Sequence, residues 1–453
     1  MSRKVIVNLT LLWLILVGMA SSFAAKNTCS LPNAIPLQGV SSHFGFSNVP
    51  LPDLNQFQMM GVNSLRSEVF WDQVENMSGV LTIPEHVEKF VKESNRSGIL
   101  PILVLDYGHP AYDGGDKPMS PRARNAWKHY AEFVVSHFRG RVSYYEIWNE
   151  WDIDIGGTKA GTPESYVELV NWVAPSLHQI DPKSCLIVGS ATPESVDKGW
   201  LTRALNAGLM KNADALSLHT YNFGNPKAGY QGPEGWFRKV QGLQVQINAM
   251  PSIRNKPVKL FVTEMGWSSF LGKNGVSSEK QADYAQRLFL LSTILPNLHG
   301  VWWYSFLDEG NDRLDAEDNF GLFAQNGAPK MAAKKLIEQA SLLKGVSTPP
   351  KIMASKDISP DSGRIILMWR LNPGLGTKDL QEIVAIWRSD NSRDQMFLEP
   401  KLASRALSTS TLMPVPIFSE SCKARNIQRG WIVRLDGSPC IAKVAGGWKL
   451  NNF

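Results

Sequence analysis

The sequence predicts an α/β chain: a (β/α)8 TIM barrel followed by a C-terminal all-β domain, most simply a β-sandwich. Three observations predict it. Short apolar runs alternate with amphipathic helical patterns from about residue 35 to 340, and there are eight such runs. The glycine-rich phosphate loop expected of a doubly wound open sheet is absent after the early runs. Beyond Leu343 the texture changes to alternating strand patterns separated by turn residues.

Taken in order, the chain begins with Arg3 and Lys4 and an apolar stretch from Val5 to Val17, interrupted only by Asn8 and Thr10. Small residues follow in Ala20-Ser21-Ser22-Phe23-Ala24-Ala25. A charged start, a short apolar core and a small-residue exit describe a secretory signal peptide over residues 1–24, cleaved after Ala24. The run is short for a bilayer span, so a retained anchor is the lesser reading. The expected chain is exported, periplasmic or secreted, with no stable membrane insertion after processing.

The barrel is expected over residues 31–343. Its strands are predicted at Leu37–Phe46, Val62–Phe70, Ile99–Asp106, Val142–Glu150, Cys185–Ser190, Ala213–Tyr221, Pro257–Glu264 and Gly300–Phe306. Helical patterns lie between them, as in Ile83–Ser97, Pro121–Phe138, Thr162–Ile180 and Ser278–Leu295. Residues 345–360, rich in Ser, Thr, Pro and Lys, read as a linker. The β-domain, residues 361–453, then shows strands such as Ile365–Leu371, Glu382–Arg388 and Trp431–Leu435, the last turning through Asp436-Gly437-Ser438-Pro439 into Cys440–Val444. In an oxidising compartment Cys422 and Cys440 are plausible partners, whereas Cys185, opening an apolar strand, reads as a buried thiol.

Composition narrows the function. With 43% hydrophobic and 19% charged residues in 453, the chain can bury a large core and is not a disordered composition. The net charge of +6 is thinly spread, with no Lys/Arg run or aromatic-interleaved basic stripe, so nucleic acid is not an expected partner. No Cys/His spacing resembles a zinc site, and no metal or other cofactor is expected.

In a barrel of this kind function sits at the C-terminal strand ends. The fourth predicted strand finishes Glu146-Ile147-Trp148-Asn149-Glu150-Trp151, the seventh Val262-Thr263-Glu264-Met265-Gly266-Trp267. Each delivers a glutamate to the mouth. Period-two alternation groups Leu260, Val262 and Glu264 on the face expected to point into the barrel. Two carboxyl groups flanking one bond are what glycoside hydrolysis requires, about 5–5.5 Å apart when the reaction retains configuration. Glu146 lies deeper on the fourth strand and reads as a structural carboxylate paired with a cation. Aromatic residues near the strand ends, among them Trp151 and Trp267, suit stacking on the apolar faces of sugar rings.

The paired strings around Glu150 and Glu264 resemble clan A of the retaining glycoside hydrolases. Within it the chain is most similar to glycoside hydrolase family 39 and to periplasmic endoglycosidases of exopolysaccharide systems. The resemblance covers the barrel well and the tail loosely. It implies that Glu150 is the acid/base, Glu264 the nucleophile and Asn149 the amide that binds a sugar 2-hydroxyl. It also implies that Arg66 keeps the nucleophile ionised, that His219 and Tyr221 line the site and orient the nucleophile, and that Trp303 floors the sugar site. Many clan members carry Pro after the Asn-Glu pair; here Trp151 stands there. The expected partner is a β-linked polysaccharide or oligosaccharide, cut internally, with association to exopolysaccharide machinery implied by the resemblance. The alternatives are an exo-acting β-glycosidase such as a β-xylosidase, a transglycosylase, or a polysaccharide-binding protein without catalysis.

Overall fold

The computed structural model describes residues 29–452, apart from 33, 47–48, 254–256, 355–357, 360, 372–380, 391–393, 401–416, 428–429 and 446–447. The expected signal segment and its cleavage point lie outside the described residues. Eight parallel strands close into a barrel in sequence order: β1 (Leu37–Ser41), β2 (Ser64–Phe70), β3 (Leu100–Asp106), β4 (Tyr144–Ile147), β5 (Cys185–Ala191), β6 (Ala215–His219), β7 (Leu260–Met265) and β8 (Leu298–Tyr304). Helices such as Pro121–His137, Pro163–Ile180, Pro233–Ala249 and Ser278–Ser292 form the outer ring. Two of them start where a hydroxyl caps and a proline occupies the first turn: Ser120 accepts from the Ala123 amide and Thr162 from that of Ser165. Among the described residues no helix is long and apolar enough to cross a membrane.

Strand alternation divides the barrel residues between two cores. Leu37, Ile102, Tyr144, Ile187, Ala215, Phe261 and Trp302 fill the interior near the bottom. The neighbours Val40, Leu103, Tyr145, Val188, Leu216, Val262 and Trp303 face the helices. Trp302 takes so much of the interior that Gly39 and Gly300 are needed beside it; a Cβ on either would overlap its ring. Cys185 is bonded to Cys29, 156 positions away, so the reading of it as a free thiol is corrected. The N-terminal segment passes under the barrel, where Tyr144 also reaches the Ser30 carbonyl, and it brings Cys29 to the base of β5. Cys422 and Cys440 pair as expected.

Among the described residues nine short strands follow: β9 (Lys351–Ala354), β10 (Arg364–Leu371), β11 (Gln381–Arg388), β12 (Asp394–Pro400), β13 (Ile417–Phe418), β14 (Lys423–Ile427), β15 (Gly430–Leu435), β16 (Cys440–Ala445) and β17 (Trp448–Asn452). They form antiparallel sheets of order β13-β16-β11-β10-β9 and β14-β15-β12-β17. The stretch read as a linker therefore contains a strand, because β9 pairs with β10. On the first sheet Ile366, Val384 and Ile386 pack against Met396, Val433 and Leu435 of the second, which makes the sandwich. The opposite face, with Ile365, Leu367, Trp369, Ile383, Ala385 and Trp387, joins the core of the barrel helices.

Candidate active site

The mouth of the barrel is organised around Arg66, which β2 carries inward and which is 2% exposed. Its Nε donates to Glu146 at 2.6 Å, Nη1 to Glu264 at 2.8 Å and Nη2 to the Asn149 side-chain carbonyl at 2.8 Å. One planar cation thus fixes residues from β4 and β7 at once. Glu146 is fully buried and also accepts from Ser190 at 2.8 Å and Thr263 at 3.0 Å. Burial alone would raise its pKa, but Arg66 and the neighbouring donors outweigh that and hold it below the usual carboxylate value. It is the structural carboxylate that its depth suggested.

Above this layer, Tyr221 donates to Glu264 Oε2 at 2.9 Å and His219 Nδ1 lies 2.7 Å from Glu150 Oε1 and 3.5 Å from Glu264 Oε2. Burial disfavours the His219 imidazolium, yet the Glu264 and Glu150 carboxylates raise its pKa above the ordinary value. The Nδ1–H therefore faces a carboxylate and is the donor. Asn149 gives one of its two amide hydrogens to the Tyr107 hydroxyl at 2.8 Å and keeps the other for a ligand. Glu150, His219 and Glu264 bring one ligand atom each to within 4.8 Å of one another, a spacing a metal ion could also use. Both Glu264 oxygens are already taken up by Arg66 and Tyr221, which suits an anion aimed at a carbon centre better than a cation cage.

Local backbone explains how the two glutamates arrive. β4 ends at Ile147, and Trp148 and Glu150 adopt left-handed conformations, φ 64° and 50°, so the chain turns Asn149 and Glu150 over the barrel mouth rather than continuing the predicted strand. On β7 the alternation is the reverse of the one expected. Phe261 and Thr263 face the interior, Leu260 and Val262 the helices. Glu264 reaches the mouth because the pairing of β7 with β8 slips between Val262 and Met265, and that with β6 slips before the His219–Glu264 pair.

A cavity of about 470 Å³ contains both glutamates and is lined by Asn149, Tyr107, Tyr221, Tyr304, Glu68, Glu317, His43, Phe46, Phe70, Phe223, Phe320 and Ile155, among others. Three sequence expectations are corrected here. Trp303 is fully buried facing the helices, with its indole N–H on the Phe320 carbonyl; its neighbour Tyr304 supplies the eighth-strand aromatic. Trp151 is buried with its indole N–H on Ser165 of the following helix, and Trp267 is buried with its own on the Gln231 carbonyl. Neither lines the cavity. The aromatic walls come instead from Phe46, Phe70, Phe223 and Phe320, which sit in loops or at strand ends where periodicity carries no signal.

Sequence reasoning also passed over His43, which follows β1. Its Nδ1 lies 3.3 Å from Glu68 and its Nε2 3.1 Å from Glu309. The Tyr304 hydroxyl bridges Glu309 at 3.0 Å and Glu317 at 2.9 Å.

The profile of the family Cellulase (glycosyl hydrolase family 5) matches residues 30–304, most of the chain and nearly all of the barrel. The chain belongs to glycosyl hydrolase family 5. It is therefore a glycoside hydrolase of clan A, the retaining clan that its strand-end motifs resemble. The chain is similar to Endo-1,4-beta-xylanase B of Thermotoga neapolitana, 21% identical over 367 residues, covering 72% of this chain and 97% of that one. It is also similar to Beta-glucosidase 47 of Arabidopsis thaliana, 28% identical over 123 residues; that match takes in 24% of this chain and only 22% of the plant protein's length. In structure it is similar to a family 39 glycoside hydrolase from Bacteroides cellulosilyticus, with a TM-score of 0.65 and 22% identity over 90% of this chain and 81% of that one, a likeness of fold.

Proposed function

We propose that this family 5 protein hydrolyses β-glycosidic bonds in an extracytoplasmic polysaccharide by double displacement, with Glu264 as nucleophile and Glu150 as acid/base. The observation that carries the reading is the facing of the two carboxylates across one cavity, with oxygens within 4.8 Å, close to the separation of about 5–5.5 Å that retention requires. Glu264, paired with the Arg66 guanidinium and aimed by the Tyr221 hydroxyl, attacks the anomeric carbon. Glu150 protonates the departing oxygen, giving a glycosyl-enzyme. Glu150 then takes a proton from water, which adds to the same carbon and releases the sugar with net retention. Asn149, fixed between Arg66 and Tyr107, presents its amide edge to the sugar 2-hydroxyl.

Internal cleavage is favoured by a second cavity of about 440 Å³ that adjoins the first and shares His43 and Phe46 with it. It runs past Ser305, Phe306 and Gln325 on the β8–β1 side, away from Glu150, so it extends the glycone side of the scissile bond. Room for a second sugar there suits a chain cut internally, with exopolysaccharide as the substrate implied by the sequence motifs. Two disulfides and the N-terminal signal pattern support export to the periplasm or beyond.

Intact-protein mass spectrometry with a panel of fluorinated mechanism-based glycosides tests the reading. Wild type should gain one sugar mass on a peptide containing Glu264, and Glu264→Gln should gain none. Labelling on any other carboxylate would overturn the assignment. Depolymerisation of oligosaccharides of increasing length then separates internal from terminal cleavage.

A further inference from the structure

Lys117 is 2% exposed although it belongs to a loop at the barrel mouth. Its ammonium donates to the carbonyls of Ile153 at 2.9 Å, Ile155 at 3.3 Å and Lys159 at 2.9 Å. An ammonium has three protons and no acceptor, so its whole hydrogen-bonding capacity is used on one loop, the one that follows Glu150. The same Nζ lies 5.8 Å from the ring centroids of Trp148 and Trp151, which bracket Asn149 and Glu150.

The next residue back clamps the same loop. Asp116 accepts from the Thr158 amide at 3.1 Å and from the Thr158 hydroxyl. Gly156 and Gly157 let the two loops touch, since a Cβ on the first would overlap the Tyr107 ring and on the second the Asp116 carboxylate. Such docking has a task. The left-handed backbone at Trp148 and Glu150 is unfavourable for residues with a Cβ and persists only where the surroundings over-determine it. The loop also sets Ile155, 40% exposed, on the cavity wall beside Glu150.

We propose that Lys117 is a positioning residue of the reaction: its ammonium pins residues 151–161 so that Ile155 forms an apolar wall for the leaving-group sugar and Glu150 stays on the oxygen it must protonate. This rests on Glu150 being the general acid. An acid must stand on the leaving-group side of the bond, and β4 lies across the barrel from β8 and β1, where the glycone cavity opens. The loop after β4 therefore borders the leaving group. Lysine acts here as a built-in cation, collecting carbonyls that face inward and would otherwise repel one another.

The test compares Lys117→Met with wild type on cellotetraose, whose sugar leaving group needs a proton, and on dinitrophenyl β-cellobioside, whose leaving group departs without one. The kcat/KM for cellotetraose should fall about 100-fold, the scale of a roughly 1 Å misplacement, while that for the aryl glycoside should change less than about 3-fold. Hydrogen exchange should speed up at amides of residues 151–161 and not elsewhere in the barrel. Equal losses on both substrates, or unchanged exchange in that loop, would overturn the proposal. If Lys117→Met does not fold, Asp116→Ala removes the outer half of the same clamp and must show the same split in weaker form; equal losses there count equally against it. Should wild type cut neither probe, the catalytic reading stays with the Glu264 labelling and the exchange experiment decides alone: unchanged exchange at residues 151–161 overturns the proposal, and faster exchange confined there supports it.

Discussion

Arg66 directs each of its donor groups to a different partner, on β4, on β7 and in the turn that follows β4. Lysine in its place could offer a point charge but not a planar fork. Arg66→Lys should therefore keep the fold while lowering kcat roughly 100- to 1000-fold, the scale of losing one preorganised electrostatic contact, with little change in KM. A variant whose KM rises while kcat holds would show that Arg66 binds substrate rather than orienting Glu264. His43 makes a pH-dependent counterpart. Burial alone would lower its pKa, but Glu68 and Glu309 raise it from 6.5 to about 10. A folded value above the unfolded one means that stabilisation is complete below pH 6.5 and is lost as pH rises toward about 10. The melting-temperature deficit of His43→Gln should accordingly be largest in acid-to-neutral buffer and shrink towards about pH 10. A deficit that is flat across that range would mean the ring is already neutral.

At the scale of elements, parity decides which side chains reach the sugar. Trp302 and Tyr304 point into the barrel while Trp303 between them points out, because a one-residue shift moves a strand side chain to the opposite face. The two substitutions should separate. Trp303→Phe removes core volume and the bond to the Phe320 carbonyl, costing roughly 1–3 kcal/mol of stability with kcat/KM unchanged. Tyr304→Phe deprives Glu309 and Glu317 of a shared hydroxyl and should lower kcat/KM about tenfold with little effect on melting. Thermal unfolding and steady-state kinetics on the same two variants check both halves.

Parity also separates the features legible in the sequence from those that are not. Eight strands, their order and the glutamates at two strand ends are legible, since apolar runs and carboxylates at their termini are local patterns. Period-two reasoning failed on β7, because the register slips that deliver Glu264 depend on pairing with β6 and β8. It failed for Trp151 and Trp267, whose indoles find partners only once the helices are packed. The Cys29–Cys185 bond, spanning 156 positions, has no local signature at all. His43, Glu309 and Phe320 lie in loops or turns, where the chain's path and not its periodicity brings them to the cavity.

For the whole molecule, barrel and β-sandwich share one hydrophobic core rather than meeting at a wet surface. Ile365, Leu367, Trp369, Ile383 and Trp387 belong to the same buried cluster as the barrel helices. Inside it, Glu234 of helix Pro233–Ala249 pairs with Arg287 of helix Ser278–Ser292, and both groups are 2% exposed. The Trp387 indole donates to Glu234 at 2.7 Å, and Arg287 reaches the Gly437 carbonyl at 3.3 Å. A buried ion pair of this kind adds little against apolar residues of equal volume, but removing one partner leaves a charge uncompensated at about 3–5 kcal/mol. Glu234→Ala should thus lower the melting temperature of barrel and sandwich together. Calorimetry of wild type should show one cooperative transition, since a core cut in half leaves neither part its buried apolar surface. A chain ending after Leu343 would expose the helix faces that the first sheet covers, and should collect in the insoluble fraction or bind a hydrophobic dye. Two resolved transitions in wild type, with only the later one shifted by Glu234→Ala, would instead mean that the sandwich is a separate unit resting against the barrel.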